Sequence, residues 1–312
     1  MRVLVIMDPI HTVHPDKDTS FGFILAAQAR GHEVFYCQAE DLYITPGEGA
    51  GARCAALTVR HQLTDFFDLG EWSGRPLSDF HTIWMRKDPP VDWVYLHATY
   101  ILDQAPASTL VVNRPSATRG ANEKLYALNW PEFCPETLVT RDAARITAWL
   151  AQGQPLIAKP VDGHGGAGIF LLSPGDRNVP SIIETLTEEG RRWIIVQAYL
   201  PAAREGDKRI ILINGEPMGA ILRVPQDSDH RGNMHVGGSA VAVDVTDDER
   251  KMCATLAPKL REDGLYFVGL DVIGGKMTEI NVTSPTGIRE IQSLGGPDLG
   301  DAYVKWIEGV VG

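Results

Sequence analysis

Cysteine is scarce in this chain: four residues, Cys37, Cys54, Cys134 and Cys253, in a length of 312. No two of them form a Cys-x-x-Cys pair or a metal-ligand spacing, which excludes a cysteine-built metal site. Lone cysteines of this kind pack as small hydrophobes in a reducing compartment, so the cytoplasm is expected. Long apolar runs are missing too. None approaches the roughly 20 residues of a membrane span, so no membrane partner is expected. The opening Met1–Pro9 turns polar too soon for a signal peptide and reads as a buried first strand. Basic residues are in deficit, 29 against 40 acidic ones, for a formal net charge of −11. Nucleic-acid binding needs a basic face, so no nucleic-acid partner is expected. An anionic ligand must instead be held by local cations. Two glycine fingerprints are also absent. No Gly-Lys-Ser/Thr leads into a helix, which excludes a Walker A loop. No Gly-x-Gly-x-x-Gly separates an early strand from its helix, which excludes dinucleotide binding of the Rossmann kind. Internal repeats are absent.

What remains is a globular composition, 44% hydrophobic and 22% charged, long enough for two domains of ordinary size. The first part alternates strands and helices: strand at Val3–Met7, helix at Ser20–Arg30, strands at Glu33–Cys37 and Thr82–Met85, helix at Tyr95–Leu102, strand at Leu110–Asn113. This alternation predicts an open parallel α/β sheet. Asp8, Arg86, Lys87 and Asn113 fall at carboxyl ends of its strands, as ligand groups or as ordinary polar loop starts. From about residue 122 hairpin signals take over. Arg209–Ile213 and Met218–Val224 flank Asn214-Gly215, and Leu265–Ile273 and Met277–Val282 flank Gly274-Gly275. Thr246 with Glu249 three residues on opens an amphipathic helix over Asp247–Glu262. Gln226–Ser239 is rich in Asp, Gly, His and Asn, lacks periodicity, and reads as a lid or a disordered segment.

Three segments carry chemistry. Glu279 and Asn281, two apart on a strand, share one face and offer the hard oxygens that Mg²⁺ prefers. Asp271 lies across the Gly274-Gly275 turn. A three-residue loop would put Asp271 on the same face as Glu279, and a two-residue loop on the other. The first register is the one expected, with Asp271, Glu279 and Asn281 as the metal ligands; the alternative for Asp271 is a salt bridge or a turn role. In the second segment a strand ends in Lys159, and Gly163-His164-Gly165-Gly166-Ala167-Gly168 follows. Glycines let backbone N–H groups approach phosphate oxygens, so this reads as a phosphate-covering hairpin with a flanking Lys. The third, Gln197-Ala198-Tyr199-Leu200, can offer backbone groups to an adenine or simply leave a strand. Lys124, Arg209, Arg223, Arg231 and Arg289 recur beside these segments, and arginine suits bidentate contacts with carboxylates and phosphates.

These pieces in this order resemble the ATP-grasp superfamily and, within it, the bacterial glutathione synthetases. The strings that carry the likeness run nearly end to end. They are Met7-Asp8-Pro9-Ile10 with Lys17-Asp18-Thr19-Ser20, Met85-Arg86-Lys87-Asp88-Pro89-Pro90, Asn122-Glu123-Lys124-Leu125, Lys159-Pro160-Val161-Asp162-Gly163, Gly206-Asp207-Lys208-Arg209 and Glu279-Ile280-Asn281-Val282-Thr283-Ser284-Pro285-Thr286. The resemblance implies an α/β plus α+β chain of ATP-grasp fold, with an N-terminal open α/β domain over 1–121 and two α+β subdomains, 122–200 and 201–312, gripping ATP. It implies ligation of γ-glutamylcysteine to glycine with ATP and Mg²⁺ (or Mn²⁺), and a homo-oligomer, a tetramer. By the same resemblance Lys124, Lys159 and the loop Gly163, Gly165, Gly166 and Gly168 would meet the phosphates. Gln197, Ala198, Tyr199 and Leu200 would line the adenine, and Asp207 would face the ribose. Arg209, Arg223, Arg231 and Arg289 would bind phosphate or substrate carboxylates, with Arg209 and Arg289 acting in catalysis. Asp18, Ser20, Arg86, Gly232, Asn233, Ser284, Pro285 and Thr286 would complete the substrate side. The chain departs from the family at His164, where Met is expected, and at Ala198, where Asn is.

Overall fold

The computed structural model describes residues 1–163, 165–225 and 239–312. Its first strand, β1 (Arg2–Ile6), is enclosed on both sides from Val3 onward, as a strand in a parallel sheet covered by helices must be. β1 lies between β2 (Glu33–Cys37) and β7 (Thr82–Met85), with β8 (Leu110–Val112) beyond, all parallel. Between β1 and β2 runs α1 (Thr19–Ala29), capped by Asp18, whose carboxylate accepts the Phe21 N–H at 2.7 Å. α2 (Trp93–Leu102) and the short α3 (Pro115–Gly120) flank β8 in sequence.

Parallel pairing stops there, which corrects the expectation of a purely parallel sheet. Residues 42–76 add antiparallel strands: β3 (Leu42–Thr45), β4 (Gly49–Val59), β5 (Phe67–Leu69) and β6 (Ser73–Pro76). β4 pairs with β2, while β3, β5 and β6 pair with β4, so the sheet is eight-stranded and mixed. The Gly- and Ala-rich start of β4 lacks the β-branched residues that announce a strand. Its glycine has a packing reason, because a Cβ on Gly51 would stand 2.6 Å from the Tyr43 ring.

A second, four-stranded antiparallel sheet is built from β9 (Thr137–Thr140), β10 (Leu156–Pro160), β11 (Phe170–Leu172) and β12 (Ile194–Ala198), in the order β11-β10-β12-β9. α4 (Ala143–Leu150) and α5 (Val179–Leu186) cover one face, where Ile146, Trp149 and Ile183 pack with Leu156, Ala158 and Val196.

The third sheet follows the order β15-β14-β13-β16-β17. β13 (Asp207–Ile213) and β14 (Glu216–Val224) form the expected hairpin, with Asn214 at φ 50° and Gly215 at φ 80° in its turn. β15 (Ser239–Ala242) pairs with β14. α6 (Asp247–Asp263) carries the expected reciprocal cap between Thr246 and Glu249, ends at Gly264 with φ 80°, and buries Met252, Cys253, Leu256 and Leu260 against the sheet. β16 (Phe267–Ile273) and β17 (Lys276–Asn281) close it, followed by α7 (Ile288–Ser293) and α8 (Leu299–Val311).

The last helix returns to the first. Tyr303 on α8 stacks on Phe23 of α1 at 4.0 Å between centroids, and Phe23 meets Phe267 of β16 edge-on at 5.0 Å. One apolar cluster therefore joins β1, α1, the third sheet and α8. Asn113, expected as a ligand group or a loop start, is a bracket within this junction. Its side-chain N–H donates to the carbonyls of Phe267 (2.9 Å) and Val282 (2.8 Å). Its carbonyl accepts the backbone N–H groups of Tyr266 (2.7 Å) and Phe267 (2.8 Å).

Candidate active site

A cleft of about 1390 Å³ is lined by residues of the second and third sheets, of α1 and of the loops that follow β1 and β7. Its floor is the β16–β17 hairpin, and the register there is neither of the two simple ones. The turn is two-residue, Ile273 pairing with Lys276 around Gly274 (φ 55°) and Gly275 (φ 76°), which corrects the expected three-residue loop. A β-bulge then inserts Thr278, so that Asp271 still pairs with Glu279 and Gly269 with Asn281. The Thr278 hydroxyl donates to the Asp271 carbonyl at 3.2 Å, across the bulge. Asp271, Glu279 and Asn281 all line the cleft. The Asn281 amide N–H donates to the Gly269 carbonyl at 3.1 Å, which turns the side chain's own oxygen away from that bond. Among the described residues no three His, Cys, Asp or Glu side chains form a ready metal cage. Such a cage is not what Mg²⁺ requires beside a polyphosphate, since one or two carboxylates and the phosphates themselves complete its octahedron.

Four cations surround these oxygens. Lys159 Nζ lies 3.3 Å and Lys124 Nζ 3.7 Å from Glu279 Oε1. Arg209 grips Asp271 bidentately, Nε to Oδ1 at 2.5 Å and Nη2 to Oδ2 at 3.1 Å, and also donates to the Thr286 carbonyl at 3.1 Å. Arg223 bridges Asp271 (2.9 Å) and Asp207. Burial opposes the charge on Asp271, but Arg209 and Arg223 outweigh it and hold its carboxyl well below the usual range. Asp207 goes the other way. Burial pushes its carboxyl up to about 7 against the pull of Arg223, and its Oδ1 is buried without a partner among the described residues. Four cations against three carboxylates leave the floor positive within an acidic chain, the local arrangement a polyphosphate needs.

The glycine loop stands over this floor. Gly163, Gly165 and Gly166 line the cleft, and Lys124 Nζ donates to the Gly163 carbonyl. Gly165, Gly166 and Gly168 adopt φ of 63°, 78° and 74°. Gly168 is not among the lining residues. It is the pivot of the loop, where a Cβ would meet Pro160 Cγ at 2.9 Å. At the exit of β12, Gln197, Ala198, Tyr199 and Leu200 line the far end. The N–H groups of Ala198 and Tyr199 already donate to the Glu136 and Pro155 carbonyls, at 3.0 and 3.1 Å. Leu200 N–H has no partner among the described residues, so it is the donor this edge can offer a planar base.

At the opposite end the loops of the first sheet contribute. Arg86 is 5% exposed, donates to Ser20 Oγ (3.1 Å) and the Pro285 carbonyl (3.0 Å), and lies over the Phe23 and Phe267 rings, 5.5 and 5.3 Å from their centroids. Asp18, Ser20, Ser284, Pro285 and Thr286 line the cleft with it. Burial pushes the Asp18 carboxyl up, against the Phe21 N–H bond. Arg289 lies elsewhere. It faces the Pro15 carbonyl (3.3 Å) and His61 Nε2 (2.7 Å), away from the cleft lining. His164, Arg231, Gly232, Asn233 and the rest of the expected lid up to residue 238 lie outside the described residues. Sequence reasoning passed over Asp88 and Glu123, which line the cleft and sit inside quoted strings. Asp88 Oδ1 accepts the Ser284 hydroxyl at 2.5 Å. Their adjacency to Arg86 and Lys124 was the available signal.

Comparison with known proteins agrees with this architecture. The profile of the prokaryotic glutathione synthetase N-terminal domain matches residues 1–119, and that of the prokaryotic glutathione synthetase ATP-grasp domain matches 123–296. The glutathione synthetase of Thermosynechococcus vestitus is 48% identical over 316 residues, covering 98% of this chain and 99% of the relative. That of Synechococcus elongatus is 47% identical over 320 residues, covering 100% and 99%. Among solved structures, a D-cycloserine synthetase superposes with a TM-score of 0.70 at 15% identity, over 99% of this chain and 100% of that one. A RimK domain ATP-grasp protein from Sphaerobacter thermophilus superposes with a TM-score of 0.60 at 18% identity, over 98% of both. At such identities these two likenesses speak for the ATP-grasp fold alone.

Proposed function

The chain belongs to the prokaryotic glutathione synthetase family, and from that premise we propose which of its residues carry the reaction. It is an ATP-dependent ligase of the glutathione synthase type, joining γ-glutamylcysteine and glycine. We place ATP with its base at Leu200 N–H, its ribose near Asp207 Oδ1, which has no partner among the described residues, and its phosphates between the glycine loop and the cations Lys124, Lys159, Arg209 and Arg223. The observation that carries this reading is the meeting of Lys124 and Lys159 with Glu279 on one carboxylate oxygen, under the glycine loop.

Asp271, Glu279 and Asn281 fit Mg²⁺ by donor chemistry, hard oxygens on one face, and would hold it there. Bound, the ion would supply positive charge against the phosphates and the transferring group. The remaining work belongs to the chain. A substrate carboxylate attacks the γ-phosphorus, giving an acyl phosphate and ADP. The amine nitrogen of glycine then attacks the acyl carbon, and phosphate leaves. Lys124, Lys159 and Arg209 hold the transferring group in line and stabilise its charge. Arg86, buried and flanked by Ser20 and Asp18, would seat a substrate carboxylate at the first-sheet end. An acyl phosphate is hydrolysed by water, which gives a covering loop its purpose. Arg289, held at the Pro15 carbonyl and His61 outside the cleft lining, is given no substrate contact in this placement.

We also propose the division 1–121, 122–200 and 201–312, a cytoplasmic location and a homo-oligomer, a tetramer by family. No helix among the described residues is long and apolar enough to cross a membrane. The deciding experiment is ADP release from the full chain with ATP, Mg²⁺ and γ-glutamylcysteine, with and without glycine. Release that depends on both substrates, with glutathione as product, is expected. Turnover with other carboxylate–amine pairs and none with these would assign the chain to a different ligase.

A further inference from the structure

The tripeptide Asn122-Glu123-Lys124 touches both the glycine loop and the strand that bears Glu279 and Asn281. Asn122 Oδ1 accepts the N–H groups of Lys124 (3.2 Å) and Leu125 (3.1 Å), folding the segment into a turn. Its side-chain N–H reaches the Val161 carbonyl, at 3.5 Å, at the root of the glycine loop. Lys124 Nζ reaches the Gly163 carbonyl of that loop and lies 3.7 Å from Glu279. Glu123 faces the metal strand with both its backbone and its side chain. Its carbonyl accepts Ile280 N–H at 2.8 Å, on the outer edge of β17 between Glu279 and Asn281. Its Oε1 accepts three bonds at once: Val282 N–H (2.9 Å), Thr283 N–H (3.0 Å) and the Thr283 hydroxyl (2.9 Å).

We propose that Glu123 is a positioning residue for the ligation, fixing the phosphate-facing Lys124 in register with the strand that bears Glu279 and Asn281. β17 is an edge strand, so one of its sides lacks a neighbouring strand to hold it. Glu123 supplies a partner there at the Glu279–Asn281 end, as the Phe133 carbonyl does for Met277 N–H (2.8 Å) at the turn end. The carboxylate draws together two successive N–H groups and a hydroxyl where the chain leaves the strand, and charge makes such bonds short and strong. Lys124 is the next residue in the chain. Its reach to Gly163 and Glu279 is therefore set by the same anchor. A lysine carries four rotatable carbons and is poorly aimed by itself, so the precision must come from its backbone. All three accepted bonds go to Oε1. Among the described residues Oε2 has no partner, and Glu123 lines the cleft.

This inference rests on the proposed placement of ATP phosphates at Lys124, and its test reads nucleotide binding, which does not depend on the identity of the two ligated substrates. ATP affinity in the presence of Mg²⁺ is measured by calorimetry for the wild type, Glu123→Ala, Lys124→Ala and the double variant, with thermal unfolding of each alongside. Glu123→Ala is expected to weaken ATP binding about tenfold. The double variant is expected to be no weaker than Lys124→Ala alone, because both changes remove one interaction. Glu123→Gln keeps an oxygen that accepts the same three bonds and is expected to stay within about threefold of the wild type. Fully additive losses would overturn the proposal, and so would unchanged binding in folded Glu123→Ala. If Glu123→Ala does not fold, Thr283→Val replaces it in the same cycle, removing the hydroxyl donor alone. Additivity of Thr283→Val with Lys124→Ala would then be the overturning result.

Discussion

Asp271 and Glu279 stand opposite one another on neighbouring strands only because Thr278 is bulged out between them. The tight Gly274-Gly275 turn by itself would set Asp271 against Thr278, and every later side chain of β17 would change face. One extra residue restores the oxygen cluster, so the shared face of Asp271, Glu279 and Asn281 and the compact turn coexist.

Glu279 is the carboxylate on which both lysines converge, which makes it the most exposed point of the proposed function. Glu279→Ala is expected to lower kcat for ADP release by about 10²–10³, the scale of losing one charge-stabilising contact. Its thermal midpoint should stay near that of the wild type, since Glu279 is half-buried at the cleft edge. Turnover within a few-fold of the wild type would remove the metal-strand assignment.

Asn113 predicts the converse. Its four hydrogen bonds tie the end of β8 to β16 and to the exit of β17. Asn113→Ala leaves buried backbone groups unpaired and is expected to cost about 3 kcal/mol in urea unfolding. The Michaelis constants of the folded enzyme should not move. A raised Michaelis constant with unchanged stability would return Asn113 to the ligand role.

Gly168 turns the glycine loop with φ of 74°, against Pro160. Gly168→Ala adds the left-handed strain of a Cβ, about 1–2 kcal/mol. If the strain falls on the nucleotide-bound form, the Michaelis constant for ATP rises about tenfold, 1.4 kcal/mol being one decade. The constant for γ-glutamylcysteine should be unaffected, and equal shifts in both would argue against a phosphate-covering role.

Asp207 gives a pH signature. Its carboxyl titrates at about 7 in the fold and near the ordinary 3.8 when unfolded. The native state therefore holds the extra proton between those values, and this contribution to stability is lost as pH rises through them. Asp207→Asn removes the titration. The stability of the wild type relative to this variant should fall between pH 5 and pH 7, by up to about 1.4 kcal/mol per unit. Urea unfolding at both values checks it, and a flat difference would show that Asp207 is ionised throughout. Asp271, held low by two arginines, has no part in that window.

Local chemistry was readable from the sequence wherever short-range rules act alone. The Asn214-Gly215 hairpin, the Thr246–Glu249 cap, the buried first strand and the Lys159 strand followed by glycines each declare themselves within a few residues. So did the shared face of Glu279 and Asn281, which strand period alone sets. Helices α4, α5, α7 and α8 were not read, nor were the antiparallel strands of residues 42–76, whose small residues carry no strand signal.

Tertiary structure decided what depends on partners distant in sequence. Arg289 and Arg209 look alike as arginines beside glycine-rich turns. Only packing sends one to Pro15 and His61 and the other to Asp271. Asn113 read as a strand-end ligand group or a loop start, and only its contact with β16 makes it a bracket. A bulge has no sequence signature as strong as a turn, so the register at Asp271 awaited the whole sheet. Hydrogen bonds within a turn are set by φ and ψ of adjacent residues. Those of Asp271, Glu123 and Asn113 span 62 to 169 residues, and they exist only once these distant segments have packed together.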